Sequence, residues 1–129
     1  MNSKPAKDST STKNGPVCET FRDGTVSATG KLANGLKSGT WKYYFRNGRL
    51  KAVGKYRADQ LDGPWKWYRE NGKLMQTGSF KAGQQSGLWR RFQENGKPHV
   101  EGKFAAGKKT GVWKTFDKSG KLSRTRTFR

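Results

Sequence analysis

Four tryptophans, Trp41, Trp65, Trp89 and Trp113, stand at a constant step of 24 residues. Three glycine columns keep the same step: Gly39, Gly63, Gly87, Gly111; Gly30, Gly54, Gly78, Gly102; and Gly48, Gly72, Gly96, Gly120. One aromatic column runs Tyr44, Tyr68, Phe92, Phe116, and a second runs Tyr56, Phe80, Phe104, Phe128 with Leu32 ahead of it. A leucine column, Leu50, Leu74, Leu122, is broken only by Pro98. So many columns in register require a tandem repeat in which every copy has the same local structure.

The unit reads G-x-W-[KR]-x-[YF]-x-x-[NS]-G-[KR]-[LP], with G-x-[YF] four residues later. Asn-Gly at 47–48, 71–72 and 95–96, and Ser119-Gly120, mark one set of hairpin turns, because these residues accept the positive φ of tight turns. Asn34-Gly35, Ala58-Asp59, Ala82-Gly83 and Ala106-Gly107 mark a second set. Between turns lie strands of about six residues, an ordinary length. A two-residue Asn-Gly turn pairs Phe45 with Leu50 and Trp41 with Gly54. A three-residue turn with a glycine bulge pairs Tyr44 with Leu50, bringing two apolar columns together. The two registers place opposite faces inward.

Repetition is an energetic necessity for such a unit. Its few large apolar side chains contribute roughly 2–3 kcal/mol each on burial. Ordering its residues costs on the order of 1.5 kcal/mol apiece. A lone copy is unstable, and stacked copies complete one another. The expected fold is all-β: an elongated single-layer antiparallel sheet of tandem 24-residue β-hairpins. A disordered basic and polar tail is expected over 1–18 and the array over 19–129. The array divides into a degenerate copy at 19–39, copies at 40–63, 64–87 and 88–111, and a partial copy at 112–129.

The motif resembles the MORN repeat, in the variant form associated with bacterial proteins, over about residues 24–128. The resemblance implies antiparallel hairpin sheets and roles in protein interaction or anionic phospholipid binding. Relatives of the variant form are often labelled antitoxins.

Only 30% of residues are hydrophobic, too few for a thick core, while 12% are aromatic, too many for a disordered chain. Lys and Arg number 28 against 9 Asp and Glu, a formal charge of +19. Such a charge attracts polyanions. Two basic columns organise it. Lys42, Lys66, Arg90 and Lys114 follow the tryptophans, and Arg49, Lys73, Lys97 and Lys121 follow the Asn-Gly turns. In stacked hairpins each column becomes a ladder with rungs on the order of 10 Å apart. One reading makes the ladders an anion-binding track; the other has the basic stems cover aromatic edges with their heads in water. Tyr43 and Trp67 have no aromatic counterpart at Arg91 and Thr115, so they are expected to be exposed contact residues. Arg126, which replaces a column glycine, is expected to protect the sheet's edge.

Catalytic chemistry has little to work with. His99 is the single histidine and has no nucleophile at a recognisable spacing, and the carboxylates are scattered. Cys18 is alone, so no internal disulfide or thiol metal cluster can form. No catalytic, cofactor or metal residues are assigned, and no small-molecule substrate is expected. Met1 to Val17 lacks the apolar stretch of a signal peptide, and a cytoplasmic protein is the default expectation. The chain reads as a non-enzymatic binding scaffold for an acidic protein partner, antitoxin- or immunity-like in role. The alternatives are nucleic acid along the ladders and anionic membrane lipid.

Overall fold

The computed structural model of the protein describes residues 13–129. Ten strands follow one another: β1 (Gly15–Thr20), β2 (Val26–Ala33), β3 (Leu36–Tyr44), β4 (Leu50–Arg57), β5 (Gln60–Tyr68), β6 (Leu74–Lys81), β7 (Gln84–Phe92), β8 (Pro98–Ala105), β9 (Lys108–Phe116) and β10 (Leu122–Phe128). Each pairs antiparallel with the next, and spatial order equals chain order. The result is one open all-β sheet, with no helix among the described residues. The sheet begins at Gly15, not at residue 19, because β1 pairs with β2 from Gly15↔Leu32 onward. Residues 1–12 of the expected tail lie outside the described residues.

The two turn sets have different geometries. At the turns after β2, β4, β6 and β8 both central residues have positive φ, as in Asn34 (54°) with Gly35 (81°) and Ala82 (50°) with Gly83 (82°). These are two-residue type I′ turns, whose twist matches that of the strands. At the Asn-Gly turns only the glycine has positive φ, as at Gly48 (88°). Asn47 instead works through its side chain. Its Oδ1 accepts from the Arg49 amide (2.9 Å) and its Nδ2 donates to the Glu70 carbonyl of the next turn (3.1 Å). The first copy, though degenerate in sequence, repeats this turn: Gly24 N donates to Phe21 O as Gly48 N donates to Phe45 O.

Both registers allowed by the sequence occur in each hairpin. Tyr44 pairs with Leu50, as a three-residue turn requires. A bulge then shifts the pairing by one, so Tyr43 meets Ala52 and Trp41 meets Gly54. The same sequence of pairs recurs at Tyr68↔Leu74 and Trp65↔Gly78, and at Phe92↔Pro98 and Trp89↔Gly102.

The core is a single layer on one face, where Ala28, Trp41, Ala52, Trp65 and Trp89 are the buried hydrophobic residues. Each tryptophan lies flat over the column glycine of the preceding strand: Trp41 on Gly30, Trp65 on Gly54, Trp89 on Gly78, Trp113 on Gly102. A Cβ on any of those glycines would fall inside the indole. The indole N–H then donates to the carbonyl of the following residue: Trp41 to Lys31, Trp65 to Lys55, Trp89 to Ser79 and Trp113 to Lys103, at 3.0–3.1 Å. The pairing jumps at these places, for example from Val53↔Lys66 to Lys55↔Asp62, which frees the carbonyl for the indole. The tryptophan and glycine columns are therefore one device. In β10 the glycine's place is taken by Arg126, which pairs with Trp113.

Candidate functional site: an aromatic face and a basic face

Residues two apart in a strand share a face. Tyr43 and Trp67 therefore stand beside Trp41 and Trp65, and the expectation that they are free contacts is wrong. Tyr43 lies between Trp41 (ring centroids 6.2 Å apart) and Trp65 (6.4 Å). Trp67 lies between Trp65 (6.1 Å) and Trp89 (5.4 Å). They are half-buried over Ala28 and Ala52, which are small enough to admit them. A second file of rings meets the tryptophans edge-on. Tyr56, Phe80 and Phe104 alternate with Trp41, Trp65, Trp89 and Trp113, and Phe128 ends the file.

The two ends of this face differ. Near the N-terminal end, Lys37 Nζ sits over the rings of Trp41 (5.1 Å), Tyr43 (5.8 Å) and Tyr56 (5.1 Å). The Tyr43 and Tyr56 hydroxyls are 2.8 Å apart, and Lys37 Nζ donates to the former at 3.3 Å. Burial first, and the hydrogen bond to Tyr43 next, push the Tyr56 phenol up to about 12. In the third copy the position of Tyr43 and Trp67 belongs to Arg91, which is exposed. A cavity of about 200 Å³ opens there, between Trp89 and Trp113, with Gln76, Val100, Phe104 and Lys109 among its walls. Lys109 lies over Trp113 (4.7 Å) and Phe128 (5.4 Å), and Arg126 lies over Phe128 (5.0 Å). No column of the repeat marks this feature; its signal is a departure from the repeat, Arg91 standing where Tyr43 and Trp67 precede it.

The opposite face carries the first basic ladder. Register places Lys42, Val53, Lys66, Thr77, Arg90, Glu101, Lys114 and Thr125 side by side across consecutive strands. Lys42, Lys66, Arg90 and Lys114 are all exposed. One acid interrupts the row: Glu101 lies 3.4 Å from Arg90. Exposed pairs of this kind contribute little to stability.

The second ladder differs. Arg49 Nη1 donates to Glu70 O (3.4 Å), Lys73 Nζ to Glu94 O (3.0 Å) and Lys97 Nζ to Ser119 O (3.1 Å). Each side chain reaches the turn of the following copy, so these three join turns along one edge of the sheet. Arg69 Nη2 and Gln93 Nε2 make the same kind of link, to Phe92 O (2.9 Å) and Asp117 O (2.6 Å).

The profile of the MORN repeat variant matches residues 37–58, 61–82, 85–106 and 109–129, more than half of the chain. The protein belongs to the MORN repeat variant family. Each MORN match begins inside an odd-numbered strand from β3 onward, takes in the Asn-Gly or Ser-Gly turn, and ends at the first central residue of a type I′ turn or, in the last copy, at Arg129. The MORN family is a repeat scaffold with binding roles. No curated protein sequence matches the chain.

Proposed function

We propose that this MORN protein is a non-enzymatic scaffold that binds an acidic surface of a partner protein, in an antitoxin- or immunity-like role. The observation that carries this reading is the row of exposed cations Lys42, Lys66, Arg90 and Lys114, one per repeat, on the face opposite the tryptophans. A net charge of +19 draws an acidic partner to the protein, and the ladder offers it an ordered row of cations. The row itself contains no aromatic side chain, and the rings that share its face, Tyr44, Tyr68, Phe92 and Phe116, are half-buried, which favours a protein surface over the open stacking platform that single-stranded nucleic acid uses. Turn-joining bonds already engage three members of the second ladder, so the first ladder leads the assignment.

The test is what co-purifies with the native protein, followed by charge reversal. The expected companion is an acidic protein at defined stoichiometry. It should be lost when Lys42, Lys66, Arg90 and Lys114 are changed to Glu, and retained when Lys4, Lys7, Lys13 and Lys118 are changed instead. Equal loss in both variants would make net charge, not arrangement, responsible. A nuclease-sensitive companion, or flotation with anionic vesicles in place of a protein, would overturn the reading.

A further inference from the structure

The aromatic face is built on a rule that it breaks once. In the first two full copies a ring from the column of Tyr43 and Trp67 fills the space between successive tryptophans. Between Trp89 and Trp113 that space holds no ring of the chain. The two tryptophans still stand on Gly78 and Gly102, with Phe104 edge-on to both, at 5.5 and 5.1 Å. The slot therefore has the tryptophan and phenylalanine walls that hold Trp67 one repeat earlier, without the ring, on a floor of Gln76 and Val100 where Trp67 has Ala52 and Gln76. Arg91 and Lys109 border it. A second hollow, sharing Val100, Lys109 and Trp113 with it, adds Arg124 and Arg126. No carboxylate lines either hollow.

We propose that this slot receives an aromatic side chain from an acidic segment of a partner protein. The inserted ring takes the place that Trp67 occupies in its own repeat. Carboxylates flanking it on the partner pair with Arg91, Lys109, Arg124 and Arg126. This rests on the acidic-partner reading and adds a contact on the tryptophan face, so that one segment of the partner reaches round the sheet from the ladder. Charge selects the occupant. A second copy of the chain would bring another +19 against four cations. Residues 1–12 cannot supply the ring, since they contain no aromatic residue.

The test uses two blocked peptides of Asp and Glu, one with a central Trp and one with Ala in its place, titrated calorimetrically into the full-length protein at low salt. The Trp peptide should bind at least about tenfold more tightly, the scale of one inserted ring. Arg91→Trp, which fills the slot from within, should abolish that preference while the sheet's circular dichroism is unchanged. If Arg91→Trp does not fold, Arg91→Tyr, which copies Tyr43, replaces it. Equal binding of the two peptides would overturn the slot and leave the acidic-partner reading standing. Binding of neither peptide would count against both. A preference that survives in the filled variant would place the ring elsewhere. Displacement of the Trp peptide by a thymidine oligonucleotide that binds more tightly, and that Arg91→Trp excludes, would reassign the slot to nucleic acid.

Discussion

The first two full copies and the pair that follows them, one full and one partial, share strands, turns and the stacking of tryptophan on glycine, yet they present different surfaces. In the first pair, Tyr43 and Trp67 close the file of rings over small Ala28 and Ala52, and Lys37 seals its end. In the second pair, Arg91 and Thr115 leave the file open above Gln76, Val100 and Arg124, and cations rim the opening. The difference lies in one column of the repeat and the column paired with it. The scaffold needs the tryptophan–glycine pair in every copy, because the ring's stacking and its indole hydrogen bond depend on a flat floor. It does not need the ring two residues later. That position is free to become either core or binding surface.

The scaffold common to both halves should respond most strongly to substitution. Trp65→Ala should cost about 3–5 kcal/mol, the usual loss for a buried large ring, and Trp89→Ala a similar amount. Gly54→Ala should be comparably damaging, since the new Cβ falls inside the Trp65 ring. Equilibrium denaturation measures both, and a mild effect of Gly54→Ala would break the claim that the two columns are one device.

Smaller effects should separate the halves. Trp67→Ala should cost about 2–3 kcal/mol, less than Trp65 because Trp67 is only half-buried. Arg91→Ala, at the same place one repeat later, should stay within about 0.5 kcal/mol, as exposed side chains usually do. Equal losses would mean that the two halves are not different in kind.

The smallest effect concerns pH. Folded Tyr56 holds its proton to about 12, against an ordinary value of 10.0, because it is desolvated and hydrogen-bonded to Tyr43. The unfolded chain releases that proton first. The stabilisation is complete below pH 10.0 and declines as pH rises from there to about 12. Tyr56→Phe, which copies Phe80 and Phe104, should flatten that part of the stability curve relative to the parent protein. Lysine titration is common to both proteins, so a slope that is the same in each would remove Tyr56 from the account.

Much of the fold is legible in the sequence because the repeat averages out local noise. The period, both turn sets, the hairpin order and the buried tryptophans all follow from columns. The pairing of Tyr44 with Leu50 is legible as one of two registers. That both registers occur is not, because a bulge one residue inside the turn has no residue signature of its own. β1 is nearly silent in the sequence because Gly15–Thr20 has Val17 at the tryptophan position and keeps only Gly15, 24 residues before Gly39, of the column residues. The roles of the two ladders are inseparable in sequence, since both are basic columns. Only the geometry of the turns shows Arg49, Lys73 and Lys97 bonded to carbonyls. Tyr43 and Trp67 mislead for a different reason. Their failure to repeat suggests exposure, whereas their spacing of two from Trp41 and Trp65 already puts them on the core face.

Residue 91 stands at a ring position left empty. Equilibrium urea unfolding of Arg91→Trp tests this most directly. A ring that enters the slot gains aromatic contacts with Trp89 and Trp113, so stability should rise by about 0.5–1.5 kcal/mol. A fall in stability, or no change with the new tryptophan fully solvent-exposed by fluorescence, would show that the space between Trp89 and Trp113 is not a ring site.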